Sequence, residues 1–331
     1  MRIRGMKTVW RTATWLRSQV IDSVLILGYH RVAAEAVDPY ELCIHPDHFA
    51  QHLDLLQRMT NVIDLETLRQ GLIAGALPPR AVVITFDDGY TDILHKAAPL
   101  LAERGLPATV FIVSGVLGQE FWWDKLARII FNPAILPDRL DMQIGTEPFA
   151  WSMLDSEHLT LQKGSQSPRH RLLHQLHQRL VLLPEARSSV LNQLQAWAET
   201  VWPVAPAAVL TMTSAELQTL ANHDHITIGA HTETHPLLGE LPTAAQQAEI
   251  GGSKTYLESL LQRPIPFFSY PHGNSPTKTQ HLVEKAGFGL ACTSGNDVVH
   301  SGSNLFRLPR FWLPNWNGAV LERWLGKWQR H

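Results

Sequence analysis

The chain of 331 residues has two cysteines, Cys43 and Cys292, and neither sits in a Cys-x-x-Cys pair. A disulfide framework and a thiolate metal knuckle are therefore excluded, and both thiols are expected to be reduced and structural. Charge of one sign is also scarce: 28 Lys and Arg face 30 Asp and Glu, and no run reaches five like charges. Without a basic field, nucleic acid is not an expected partner. No apolar run approaches the roughly 18 residues of a membrane-spanning helix. No Gly-x-Gly-x-x-Gly follows the first apolar run, which removes the dinucleotide-binding signature.

What is present is a chain that is 45% hydrophobic, long enough to bury a large core in one large domain or two small ones. Arg2, Arg4, Lys7, Arg11 and Arg17 precede the first acid, Asp22, and are interspersed with Met6, Val9, Trp10, Trp15 and Leu16. This stretch has no uninterrupted apolar core of the kind a secretory signal carries, so the expected location is the cytoplasm. Its pattern is that of a basic amphipathic segment (residues 1–22), packed on the body of the protein or lying on an anionic surface. Peripheral attachment at the inner face of the membrane is the second expectation. The tail around Arg323, Trp324, Lys327 and Trp328 mixes bases and tryptophans in the same way.

Short β-branched or aromatic runs recur at Val24–Gly28, Ala81–Phe86, Ala108–Val113, Ile226–Ala230, Pro266–Tyr270, Phe288–Thr293 and Leu308–Leu313. Helical patterns lie between them, at Pro46–Met59, Asp92–Arg104, Ser214–Asn222, Ala244–Gln262 and Thr277–Ala286. Strands alternating with helices predict a parallel sheet, and about seven units predict a (β/α) barrel. The alternation breaks between about Gly118 and Leu210, which reads as a largely helical insertion without a clear strand. Within it His170, His174 and His177 fall among arginines and read as a solvated helix face. Phe121-Trp122-Trp123 reads as packing against the barrel, with a sugar-stacking platform as the alternative.

Asp87 and Asp88 end the run Ala81–Phe86. Adjacent carboxylates repel, so a metal or a proton must offset the pair, although Asp-Asp-Gly also makes an ordinary turn. His231 and His235 follow Ile226–Ala230, and Pro236 disfavours helical backbone at His235, which points to a short turn. Two histidines four apart can face one ion, and with the Asp-Asp element they supply three ligands and a spare carboxylate, the pattern of a catalytic zinc site. Every polar element follows a strand-like run: Tyr29-His30-Arg31, Asp87-Asp88, His231 with His235, and Pro271-His272-Gly273, while Arg310 lies in the last run. In a parallel barrel the carboxyl ends of the strands share one rim, so these elements would meet.

The combination of Thr85-Phe86-Asp87-Asp88-Gly89, His231-x-x-x-His235 and Ser269-Tyr270-Pro271-His272-Gly273 resembles the polysaccharide deacetylases of the NodB-homology, carbohydrate esterase 4 type. The resemblance covers about 81 to 118 and 211 to 313, plus Tyr29 to Val32. It implies a distorted (β/α)7-type barrel spanning 23–331 that removes an acetyl group from an N-acetylated glycan using one divalent metal ion, Zn2+ first and Co2+, Ni2+ or Mn2+ after it. By the same resemblance Asp88, His231 and His235 are the metal ligands, Asp87 is the general base, and the N–H of His272 is an oxyanion donor. Two features depart from the family pattern. Ser269 stands where many members carry an arginine, a part that Arg310 takes from the last strand in a subgroup. The Leu-x-His that supplies the general acid is missing after Arg310, and His30 resembles its permuted equivalent, with His272 and Arg31 as weaker candidates. Removal of formyl or of an acetyl ester, a non-haem iron site, and a catalytically silent glycan-binding relative are the alternative readings.

Overall fold

Parallel strands covered by helices are buried on both faces, which is why the apolar runs of this sequence are continuous instead of alternating. The computed structural model describes residues 23–35, 37–153, 167–199 and 209–328. The basic segment 1–22 and Arg330 lie outside the described residues. All seven expected runs form strands: β1 (Ser23–Tyr29), β2 (Ala81–Phe86), β3 (Ala108–Ile112), β4 (Ile226–Ala230), β5 (Phe267–Ser269), β6 (Leu290–Cys292) and β7 (Phe311–Trp312). Each pairs in parallel with its neighbour, in the order β6, β5, β4, β3, β2, β1, β7. The sheet curls until its edges meet, because Leu308 bridges to Cys292 of β6 while Phe311 and Trp312 pair with Leu27 and Gly28 of β1.

Register places the functional residues. Tyr29 pairs with Phe86, Ile112 with Ala230, Ser269 with Cys292 and Gly28 with Trp312. Thus His30, Asp87 and His231 leave their strands at one level, on one rim. The period of two then divides inside from outside. Leu25, Leu27, Val82, Ile84, Val110 and Ile228 pack outward against the helices. Ile26, Val83, Phe111, Phe267, Leu290 and Leu308 form an inner cluster, and continuing that alternation turns Thr85, Asp87, Ser269 and Arg310 into the barrel mouth.

The outer helices start and stop where local chemistry dictates. Pro46–Met59 has Pro46 in its first turn, and the His45 ring accepts the Asp47 N–H. Ser214–Ala221 opens on a capping box between Thr213 and Glu216. The stretch expected as one helix from Asp92 is instead a π-helical turn at Ile93–Ala97 followed by an α-helix at Ala98–Arg104. Pro99 explains the change: it has no N–H for the carbonyl four residues back, and the wider turn is closed by Ala98 N–H to the Ile93 carbonyl.

The region between β3 and β4 carries its own core. Helices Trp122–Phe131, Pro168–Leu182 and Arg187–Trp197 bury Leu126, Ile130, Leu172, Leu176 and Leu194 together. Packed against them is an antiparallel hairpin, Arg139–Ile144 with Glu147–Ser152. This hairpin corrects the expectation that no strand occurs here. Its first strand alternates Arg139, Asp141 and Gln143 outward with Leu140, Met142 and Ile144 inward, a one-faced strand whose apolar residues never adjoin. Near the C-terminal tail, Trp324 lies against Phe311 and Trp316 and is partly buried on the main core. Among the described residues no helix is long and apolar enough to cross a membrane.

Candidate active site

Asp87 is 2% exposed and is held from three sides. Arg310 Nη1 donates to its Oδ1 and Nη2 to its Oδ2, both at 2.7 Å, and Ser269 Oγ donates to Oδ2 at 3.1 Å. Arg310 is fully buried, and its remaining donors reach Thr85 Oγ1, Ser269 Oγ and the Thr293 carbonyl. Ser269, the departure from the family pattern, therefore leaves space for the guanidinium that arrives from before β7 and adds a hydroxyl between the two charges. Burial by itself would raise the Asp87 carboxyl. The Arg310 charge, with His231 and the direct hydrogen bonds, more than offsets this and holds it well below the usual carboxylate range.

Asp88 stands at φ 71°, and its carboxylate faces the histidines beside that of Asp87, whose Oδ2 lies 3.5 Å from His231 Nε2. Its Oδ1 lies 3.7 Å from His231 Nε2 and 3.6 Å from His235 Nε2. Two donors bound at about 2.1 Å to one tetrahedral centre stand roughly 3.4 Å apart, so the spacing fits one small ion. The donor chemistry fits too. His231 Nδ1 is 2.7 Å from the Ser269 carbonyl, which can only accept, so Nδ1 carries the proton and Nε2 presents its lone pair. Burial lowers both imidazoles, which favours the neutral form, for His235 with help from His272 and His231. Asp88 Oδ1 and His235 Nδ1 are buried with no hydrogen-bond partner. Burial, followed by the charges of Asp87 and Asp124, drives the Asp88 carboxyl well above its ordinary value. A cation between Asp88, His231 and His235 would satisfy that orphaned oxygen and reverse the shift.

Near this triad lies His30, its ring stacked on Trp312 with centroids 4.3 Å apart. The Arg310 guanidinium covers Trp312 at 4.6 Å. Burial lowers His30 to about 4. A Cβ on Gly28 would stand 2.6 Å from the Trp312 ring, so only glycine admits the tryptophan here. His272, at φ 55°, has its ring 4.6 Å from that of His235. Arg31 is placed elsewhere: it is 5% exposed, ion-paired with Asp92 at 3.0 Å, and does not line the cavity. That pair is structural, and Arg31 drops out as a proton donor.

His30, Asp87, Asp88, His231, His235, His272 and Trp312 face a cavity of about 440 Å³, within the size range of small-ligand sites. Trp123, Tyr40 and His177 also line it. Trp123 packs 4.9 Å from His235 and donates Nε1–H to the Tyr90 hydroxyl, which in turn donates to Asp124. His177 stacks on Trp122 at 5.1 Å, so the expectation of a wholly solvated histidine face fails at that position. Its neighbours show why: the helix buries Leu172, Leu173, Leu176 and Leu180, and His177 flanks that stripe. His170 instead bonds Ser167 and meets Phe131 edge-on. Of the cluster Phe121-Trp122-Trp123, Trp123 lines the cavity while Phe121 and Trp122 pack against it.

Comparison with known proteins identifies the family and the fold. The family model for polysaccharide deacetylase matches residues 74–136 and 188–291. YxkH of Bacillus subtilis (strain 168), a protein provisionally described as a polysaccharide deacetylase, is 20% identical over 319 residues, covering 95% of this chain and 80% of that protein. The Streptococcus pyogenes deacetylase PplD, solved with acetate, superposes with a TM-score of 0.59 at 17% identity, over 92% of this chain and 98% of its own. IcaB from Ammonifex degensii gives the same TM-score and identity, over 92% and 97%. The last two share the fold, and the family match spans half of the sequence, including β2 with its Asp87-Asp88 end and β4 with its histidines: this chain belongs to the polysaccharide deacetylase family, whose members are amide hydrolases.

Proposed function

We propose that this protein is a metal-dependent deacetylase that hydrolyses the N-acetyl group of an amino sugar in a polysaccharide or lipid-linked glycan, as in the building of a cell envelope or exopolysaccharide. One observation carries the reading. Asp88 Oδ1 is buried, unpartnered and 3.6–3.7 Å from two imidazole nitrogens, next to a second carboxylate clamped by arginine. A divalent ion held by Asp88, His231 and His235, Zn2+ first by donor type, would supply a lowered pKa for a water and polarisation of the acyl carbonyl.

The chain's own groups divide the remaining work. Asp87 is assigned to take the proton of the attacking water, and Arg310 with Ser269 fixes which lone pair it presents. The His272 backbone N–H is assigned to the developing oxyanion. His30, at the end of β1, is assigned to protonate the leaving amine. Trp312 and Trp123 wall the cavity. The sugar binds between them.

The deciding experiment is acetate release from a panel of N-acetylated glycans, run beside N-formyl and O-acetyl analogues, before and after chelation and metal return. Acetate released only from the N-acetyl substrates, lost with chelator and restored by Zn2+, supports the reading. Activity on the formyl or ester substrates alone replaces the acyl group, and no turnover of any of them leaves a glycan-binding relative. Peripheral attachment through residues 1–22 is part of the proposal and is read by co-sedimentation with anionic vesicles, which should fall with added salt.

A further inference from the structure

The turn that carries both histidines is costly to form. Thr232 stands at φ 67° and His235 at φ 58°, left-handed backbone that is uncommon for any side chain and a true outlier for a β-branched one. Such a turn persists only where the surroundings determine it. On one side Ser114 and Gly115 N–H donate to the Thr232 and Glu233 carbonyls at 3.1 and 2.9 Å. The approach is so close that a Cβ on Gly115 would stand 2.6 Å from the Glu233 oxygen. On the other side a single carboxylate does the holding. Glu249, from the helix Thr243–Leu261, accepts Glu233 N–H and Thr234 N–H on Oε2, both at 2.9 Å, and Thr234 Oγ–H on Oε1 at 2.6 Å.

Resting on the metal-site reading above, we infer that Glu249 is a positioning residue for the metal: it fixes the 231–235 turn so that the two imidazoles converge on Asp88. Glu249 touches neither imidazole. Its three hydrogen bonds all fall on residues 233 and 234, between the ligands. An acceptor carrying full charge makes such bonds about twice as strong as a neutral one. Without it, two backbone N–H groups lose their acceptor and the turn is free to relax toward right-handed backbone, which would swing His235 away from His231. The Thr232 hydroxyl, donating to the His231 carbonyl at 2.5 Å and accepting His235 N–H at 3.1 Å, joins the turn internally but cannot anchor it to the barrel.

The test is the affinity of the full chain for Zn2+, measured by competition with a chromophoric chelator, together with the visible spectrum of the Co2+ form. Removing groups that orient metal ligands lowers affinity by roughly 10–100-fold. Glu249→Ala should show a loss in that range and an altered Co2+ spectrum while the metal-free protein keeps its circular dichroism and cooperative melting. Glu249→Gln, whose amide oxygen still accepts both N–H groups, should recover most of the affinity, and Thr234→Ala should lose less than Glu249→Ala. A folded Glu249→Ala that binds Zn2+ within about twofold of wild type overturns the inference. Should Glu249→Ala not fold, Glu249→Met, which keeps the bulk and removes the acceptor, decides: binding more than about twofold weaker supports the inference, and binding within about twofold of wild type overturns it. Wild-type protein that binds neither ion would sink the metal-site reading itself, a separate outcome.

Discussion

Arg310 and Asp87, 223 positions apart, meet through two N–H···O bonds of 2.7 Å each, a parallel fork inside a fully buried site. The two parallel bonds fix the carboxylate plane as well as its charge, which one ammonium on a flexible stem cannot do.

Arg310→Lys should therefore lower kcat by about 10-fold or more and leave metal content unchanged, since charge survives and orientation does not. Arg310→Met removes the largest of the influences that lower Asp87 and should move the acid limb of the rate profile upward. The stability sign is fixed by the same shift. The Asp87 carboxyl is depressed in the folded protein, so the pair stabilises at pH above the unfolded value of about 3.9 and is lost as pH falls through the folded value. The cost of Arg310→Met, about 3–5 kcal/mol near neutrality, should shrink in acid. Urea unfolding from pH 3 to 7 checks it.

Asp87→Asn should keep the bound ion and lose on the order of 100-fold or more in turnover, because the base contributes proton transfer and not coordination. Near-normal turnover with full metal occupancy would assign the proton to another group.

His231→Ala removes one of three donors and should abolish metal binding and activity together. Elemental analysis reads the first and acetate release the second. Full occupancy in this variant would show that the ion does not sit among Asp88, His231 and His235.

His30 is lowered to about 4 by burial, so it is neutral in the resting protein at neutral pH. As a proton donor it must gain its proton after substrate binds. A basic limb due to His30 then belongs to kcat, which reports the complex, and not to kcat/KM, which reports the free enzyme. His30→Ala should erase that limb and cut kcat by about 100-fold with metal content unchanged; an unaltered profile returns His30 to a packing role against Trp312.

The barrel was readable from the sequence because each parallel strand is an unbroken apolar run, and the rim was readable because polar residues follow each run. The same rule hid the Arg139–Ile144 strand, whose apolar residues are separated by charges, and hid the π turn that Pro99 imposes. Asp88, His231 and His235, the proposed ligands, leave strands that lie two apart in the sheet and stand out in the sequence as motifs. What motif could not reach were contacts set by side-chain direction across long separations. Ser269 read as a missing arginine whose part Arg310 could take, but the hydroxyl that accepts from Arg310 and donates to Asp87 was not legible. Trp312 read as one more strand aromatic and joins Arg310 to His30. Arg31, next to His30 in sequence, points instead to Asp92.

The seam of the barrel has a consequence for synthesis and folding. Leu308 to Trp312 closes the gap between β6 and β1, and the same five residues bring Arg310 and Trp312 to the site. A chain emerging in order from a ribosome would place Asp87 and the histidines long before the guanidinium that neutralises Asp87 arrives. Until then two adjacent carboxylates would share a mouth still open to water. Closure of the sheet and assembly of the proton-transfer apparatus would thus be one event, so a partly folded chain would carry its ion-binding residues without the clamp that makes Asp87 useful.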